Sequence, residues 1–207
     1  MNDYYSLLQA VLAYGYTVSD RTGTGTVALP GQSMQFDTRH SFPLITSRAI
    51  PYRSVFAELL GFLRGCTNVK QFNSLGTKIW DANANAPYWL NNPNNKGDGD
   101  LGRIYGAQWR GWKAGAGEVD QVADCLRLLR AGAGNRRALF HAWNPAELDQ
   151  MALPPCHLLY QFHRYSAGEG KDDLCLTVYI RSNDLGLGAP FNIASAAAML
   201  RLFGDLT

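Results

Sequence analysis

Residues 153–184 read LPPCHLLYQFHRYSAGEGKDDLCLTVYIRSND, and the interpretation of this stretch decides the fold. Leu158–Phe162 and Leu174–Ile180 are short β-branched and aromatic runs, with a polar and glycine-containing segment between them. That pattern predicts two strands that pair antiparallel. Such pairing sets the beginning of the first strand beside the end of the second, so Cys156 and Arg181 become neighbours. Pro154 and Pro155 hold the approach to Cys156 rigidly, which suits presentation of a nucleophile. A free thiol titrates near 8.5, so a working thiolate needs positive charge close by. Arg181 offers that charge and could also hold an anionic substrate. The bland alternative is a packed cysteine followed by a surface imidazole. Strand alternation turns His157 to the opposite face from Cys156, which makes it poorly placed to act as the cysteine's base.

Working outward, a third strand is expected at Ala138–Trp143 and a closing helix over about 191–203. Toward the N-terminus, apolar residues at helical spacing (Tyr4, Leu7, Leu8, Val11, Leu12) predict a helix over 3–14. A strand-like stretch to about Phe36 follows. A second helix over 51–64 starts at Pro51 and stops at Gly65. Glu58 falls beside its apolar stripe of Val55, Leu59, Phe62 and Leu63, and a buried unpaired carboxylate is costly. Glu58 is therefore either a carboxylate at the edge of the stripe or paired with an arginine, or a catalytic group. Gly61 within this helix costs roughly 1 kcal/mol relative to alanine, which points to a need for space. Residues 83–100, rich in asparagine and glycine, read as a long surface loop, and a further helix is expected over 118–131. Long helices interleaved with strands, without regular βαβ alternation, indicate an α+β fold.

Composition bounds the rest. The 207 residues fit one domain (1–207), and 46% hydrophobic with 17% charged residues is globular composition. A net charge of +2 gives no bulk attraction for nucleic acid or membrane, so an anion must be held by a few placed arginines. No apolar run reaches membrane-spanning length, and Met1-Asn2-Asp3 lacks the basic start of a signal peptide. A cytoplasmic protein is expected. The cysteines Cys66, Cys125, Cys156 and Cys175 show no Cys-x-x-Cys spacing, so no metal is expected, and all but Cys156 read as small buried side chains. The Gly186 and Gly188 pair does not complete a dinucleotide-binding loop. Arg136-Arg137 is either a solvated pair or a phosphate clamp.

Several further segments stand in a fixed order along the chain. They are Asp20-Arg21-Thr22-Gly23-Thr24-Gly25-Thr26, Phe42-Pro43-Leu44, Glu58-Leu59-Leu60, Ile79-Trp80-Asp81 and Leu101-Gly102-Arg103-Ile104-Tyr105-Gly106. The series continues through Gln108-Trp109-Arg110, Arg136-Arg137, Ala142-Trp143-Asn144-Pro145, Leu153-Pro154-Pro155-Cys156-His157 and Gln161-Phe162. It ends with Arg181-Ser182-Asn183-Asp184 and Leu187-Gly188 to Ser195. Taken together in this order, these segments resemble the thymidylate synthase family, which implies a mixed sheet packed by long helices, with a sheet face that forms a homodimer interface. The resemblance also implies reductive methylation of dUMP with 5,10-methylenetetrahydrofolate as co-substrate. In that scheme Cys156 adds to C6 of uracil, with Glu58, Tyr105, Arg181 and Asn192 as its catalytic companions. Arg21, Arg181 and Ser182 would hold the phosphate, joined by Arg136 and Arg137 across the dimer. Asn192 would read the base, while Trp80, Asp184 and Gly188 would contact the folate.

The chain also departs from the family pattern. Gly61 stands where many relatives have tryptophan, implying open space beside the folate site, and Ala196 replaces a common aromatic. Thr207 precedes the family's later His-x-Tyr segment and C-terminal tail, which implies weak turnover. Two other functions compete. One is a dUMP or dCMP hydroxymethylase, in which water replaces hydride; the other is a non-catalytic homologue that binds nucleotide.

Overall fold

The computed structural model describes residues 2–19, 23–168 and 170–207. In chain order the elements are α1 (Asn2–Tyr14), β1 (Tyr16–Val18), β2 (Thr26–Ala28), α2 (Tyr52–Leu63), α3 (Val69–Ser74), α4 (Asp81–Ala84), α5 (Pro87–Leu90) and α6 (Tyr105–Arg110). They continue with β3 (Trp112–Ala114), β4 (Gly117–Val119), α7 (Gln121–Arg130), β5 (Leu139–His141), a 3-10 helix (Pro145–Gln150), β6 (His157–Gly168), β7 (Lys171–Ile180) and α8 (Gly188–Leu206). Helices and small sheets alternate irregularly, which is α+β architecture.

The two strands expected around residue 170 are present and longer than their apolar runs. β6 and β7 pair antiparallel from His157↔Ile180 to Gly168↔Lys171, and β5 joins the free side of β6 to give the order β5-β6-β7. Every strand pairing among the described residues is antiparallel. Within those residues the sheet is therefore antiparallel rather than mixed.

One face of the β5-β6-β7 sheet is buried by aromatic stacking. Phe162 lies flat on Phe203 of α8 with ring centroids 4.4 Å apart, and Phe140 stacks on Tyr160 at 5.2 Å. Beyond this layer Phe62 of α2 sits at the centre of a ring cluster formed by Phe72, Trp80, Tyr105 and Trp109, with centroids 4.7 to 5.9 Å from its own. The outer face is uncovered: Tyr165 and Tyr179 are 50% and 62% exposed.

A buried ionic knot ties α6 to the 3-10 helix ahead of Cys156. Glu147 accepts from Arg103 Nε (3.0 Å) and Gln108 Nε2 (2.8 Å), and Lys113 Nζ reaches its other oxygen at 2.8 Å. Burial alone would push the Glu147 carboxyl up, but these donors outweigh it and hold it at about 2.

Several expectations fail for identifiable reasons. The strand-like stretch to Phe36 shrinks to the hairpin of β1 and β2, because its described residues are nearly all exposed and have no sheet to join. The supposed loop over 83–100 contains α5, since Trp89 is fully buried and its Nε1 donates to Asp100 O at 2.7 Å. Cys175 is exposed on β7 rather than buried. Gly61 opens no space either. A β-carbon there would lie 2.4 Å from Phe72 Cε1, so the ring of α3 already fills the room that glycine leaves.

This last contact predicts an inverted helix-propensity effect. Gly61→Ala should gain roughly 1 kcal/mol from propensity yet lower stability overall by about 1–3 kcal/mol through overpacking. Urea denaturation checks the sign. A stabilised Gly61→Ala variant would mean Phe72 moves aside freely.

Candidate active site

The site is assembled where β6 begins and β7 ends. Arg181 N–H donates to Cys156 O (2.9 Å), which is the ladder bond expected from antiparallel pairing. The side chain of Arg181 then turns back across the same loop. Its Nε donates to Pro155 O at 2.7 Å and its Nη2 to Pro154 O at 3.2 Å, leaving Nη2 3.8 Å from Cys156 Sγ. Trp143 supports the guanidinium from below, 5.6 Å from ring centroid to Cζ. A fixed cation beside the sulfur attracts negative charge that develops there.

Cys156 faces a cleft of about 570 Å³, within the range of small-molecule sites. Glu58, Trp80, Tyr105, Cys156, Ser182 and Asn192 all line it, as do Asp184 and Gly188. Tyr105 is buried at the start of α6, and its hydroxyl accepts from the backbone N–H groups of Cys156 (2.8 Å) and His157 (3.3 Å). Burial raises the Tyr105 phenol, and the neighbouring Cys156 charge adds to that, so this hydroxyl stays protonated.

Glu58 retains a little solvent contact through the cleft, but its carboxyl group is enclosed. Its Oε1 accepts from Trp80 Nε1 at 2.8 Å. Burial pushes the Glu58 carboxyl up to about 7, against a smaller lowering by Trp80. The edge-of-stripe carboxylate of the helix pattern is therefore a group poised to gain or lose a proton near neutral pH. Trp80 in turn packs against Phe62 and Tyr105.

Asn192 occupies the first turns of α8. Its Oδ1 lies 2.7 Å from His157 Nε2, and its Nδ2 donates to Asn183 Oδ1 at 2.8 Å. Strand alternation predicts that His157 faces away from the site, yet it lines the same cleft as Cys156. Cys156 lies in the bend just before β6, so strand alternation does not relate it to His157, and a register shift between His157 and Leu159 further disturbs alternation at the start of the strand. Burial pushes the His157 imidazole down to about 4 despite the opposing contact with Asn192, so it is neutral at pH 7. His157, Asn183 and Arg48 are polar cleft-lining residues that sequence patterning misses. The bend and register shift beside His157 have no local signature, whereas Asn183 stands inside the Arg181-Ser182-Asn183-Asp184 motif.

The remaining expectations divide. Asp184 lines the cleft, but its Oδ1 also accepts from Leu187 N–H at 2.8 Å, and its backbone oxygen accepts from Ala189 N–H, so it shapes the entry to α8 as well. A β-carbon at Gly188 would meet only ordinary contacts, at 3.7 Å and beyond, so nothing within the chain demands glycine there. Arg136 and Arg137 are exposed and outside the cleft of their own chain. Arg21 lies outside the described residues. Among the described residues no group of three or more His, Cys, Asp or Glu could hold a metal ion, and no helix is long and apolar enough to cross a membrane.

Comparison with known proteins gives the family. The profile of the family described as thymidylate synthase matches residues 2–207. The chain belongs to the thymidylate synthase family. Thymidylate synthase of Pseudomonas syringae pv. tomato is 42% identical over 243 aligned positions, which take in all of this chain and 74% of that protein. Those of Pseudomonas putida and Bordetella parapertussis are 43% and 42% identical with the same coverage. The thymidylate synthase assignment makes the chain a methyltransferase of nucleotide biosynthesis.

The enclosed Glu58 has a measurable consequence. Its folded-state value lies above the unfolded one of about 4.5, so its ionisation opposes folding once the pH exceeds 4.5, with the full penalty reached above about 7. Glu58→Gln keeps an acceptor for Trp80 and should raise stability at pH 8 by about 2–3 kcal/mol. That gain should vanish below pH 4.5. Denaturant titrations across this range test it, and a pH-independent difference would contradict the enclosed carboxyl.

Proposed function

We propose that this chain converts dUMP to dTMP by reductive methylation with 5,10-methylenetetrahydrofolate as co-substrate. The observation that carries the reading is a single cleft lined by Cys156 and the Asn192 carboxamide, with Arg181, outside that lining, bracing the loop behind the sulfur. A sulfur nucleophile, a braced cation and a donor–acceptor pair are what addition to an anionic pyrimidine nucleotide requires.

In the proposed reaction the Cys156 sulfur forms a bond to C6 of uracil, and the electron pair of the C5–C6 double bond moves toward O4. C5 thereby becomes nucleophilic. Arg181 and Ser182, with Arg21, hold the phosphate, while Asn192 presents a donor to O4 and an acceptor to N3–H. Glu58, balanced near neutrality by its burial, passes protons around O4. Tyr105, whose hydroxyl already gathers the Cys156 and His157 amides, assists proton removal at C5. Loss of Cys156 from C6 restores the ring.

The folate supplies the one-carbon unit and then the hydride that reduces it. The residues available for it fit a flat heterocycle with an amide edge: Ile79, Trp80, Leu187 and Phe191 give the cleft an apolar wall, and Asp184 is a hydrogen-bond acceptor beside it. Gly188 leaves that wall low.

The uncovered face of the β5-β6-β7 sheet, with Tyr165 and Tyr179 exposed, favours a homodimer, since a sheet face of this kind is ordinarily buried against something. Arg136 and Arg137, outside their own cleft, would then serve the partner's phosphate site. The whole of 1–207 acts as one catalytic domain, in the cytoplasm.

Of the competing readings, the hydroxymethylase draws on room for water beside Glu58, and Phe72 occupies the room next to Gly61. A purely binding homologue would have no use for a carboxyl held near pH 7 against the cleft.

Incubation of dUMP and methylenetetrahydrofolate with the protein should give a product carrying a methyl group by mass spectrometry. Cys156→Ser should lower kcat at least about a thousandfold with little change in stability. A hydroxymethyl product, or a Cys156→Ser variant of full activity, would refute the proposal.

A further inference from the structure

A carboxamide alone does not choose between uracil and cytosine. With Nδ2 toward the 4-position and Oδ1 toward N3, it matches the O4 acceptor and N3–H donor of uracil. Turned over by 180°, it matches the amino group and bare N3 of cytosine equally well. Base choice at Asn192 therefore depends on what prevents the amide from turning over.

The structure contains such a device. Tyr160 Oη lies 3.3 Å from His157 Nδ1, His157 Nε2 lies 2.7 Å from Asn192 Oδ1, and Asn192 Nδ2 donates to Asn183 Oδ1 at 2.8 Å. The row is satisfied in one direction when the phenol donates to Nδ1 and Nε2–H donates to the Asn192 carbonyl, as the Asn192 amide donates to Asn183 Oδ1. One N–H and one lone pair of Asn192 remain for a ligand, in the order that uracil needs. His157 cannot enforce this alone, because a neutral imidazole can swap tautomers and accept instead. Asn183, whose side-chain oxygen is turned to Asn192 Nδ2, favours the same direction from the other end of the amide. Asn183 lines the same cleft and is partly buried. Its Oδ1 and Asn192 Nδ2 also flank the space above Gly188, at 3.7 and 3.8 Å from where a β-carbon would stand.

We infer that Asn183 is a positioning residue for base selection: its side-chain carbonyl holds the Asn192 carboxamide in the orientation that accepts uracil and rejects cytosine. The inference rests on Asn192 facing the pyrimidine edge. It acts on the ratio of the two nucleotides, not on the affinity for their common phosphate and sugar.

The test measures dissociation constants of dUMP and dCMP by calorimetry for the wild type, Asn183→Leu, Asn183→Ala and Asn183→Asp, with thermal denaturation of each. Removing the acceptor in Asn183→Leu or Asn183→Ala should lower the preference for dUMP about three- to tenfold, the effect of losing one such hydrogen bond. Asn183→Asp, which can only accept, should keep the wild-type preference even if both affinities fall together from the added charge. A loss of preference that Asp does not restore, or an unchanged ratio in whichever of the Leu and Ala variants folds, would overturn the inference. Failure of the wild type to bind either nucleotide would instead remove the dUMP reading itself, and this inference with it.

Discussion

The guanidinium of Arg181 is tied to the loop that carries Cys156, and the rest of the site is arranged around that tie. Its bonds to Pro154 O and Pro155 O use carbonyls that the prolines leave facing outward, and the backbone bond to Cys156 O locks the register of β6 against β7. Without the arginine, those carbonyls would lose strong charge-assisted partners, and the sulfur would lose both its placement and its neighbouring cation. Trp143 packs against that guanidinium and Tyr105 accepts from the Cys156 amide, so the loop is held by side chains from just past β7, from α6 and from the segment after β5.

The aromatic core explains why this small region stays rigid. Phe62 connects Phe72, Trp80, Tyr105 and Trp109 in one packed cluster, and two of those rings, Trp80 and Tyr105, also carry polar handles into the cleft. The indole N–H meets Glu58 and the phenol meets the Cys156 amide. Packing and chemistry thus share side chains, so a change in the core at Phe72 or Gly61 is felt at Glu58 through Trp80.

Much of this is legible in the sequence where a single periodicity governs. Antiparallel pairing of two apolar runs is enough to bring Arg181 to Cys156, and a carboxylate beside a helix stripe is enough to mark Glu58. Long-range packing is not legible. The asparagine-rich segment hides α5 because the burial of Trp89 is decided by Asp100 and the core beneath it, not by neighbours in sequence. Gly61 reads as empty space because its filler, Phe72, lies on another helix. His157 reads as facing away because the reading carries strand alternation back to Cys156, which lies in the bend before β6 begins, and register also slips between His157 and Leu159. The roles proposed for Arg136 and Arg137 come only from family resemblance, since neither lines the cleft of its own chain.

In the proposed reaction these features serve one event, the meeting of the Cys156 sulfur with the pyrimidine ring. Incubating the protein with 5-fluoro-dUMP and methylenetetrahydrofolate, then digesting it and mapping the peptides by mass spectrometry, reports on that event without an intermediary. One equivalent of covalent adduct is expected, confined to the peptide that contains Cys156. An adduct on Cys66, Cys125 or Cys175, or a protein that binds both ligands yet forms none, would be incompatible with Cys156 as the nucleophile.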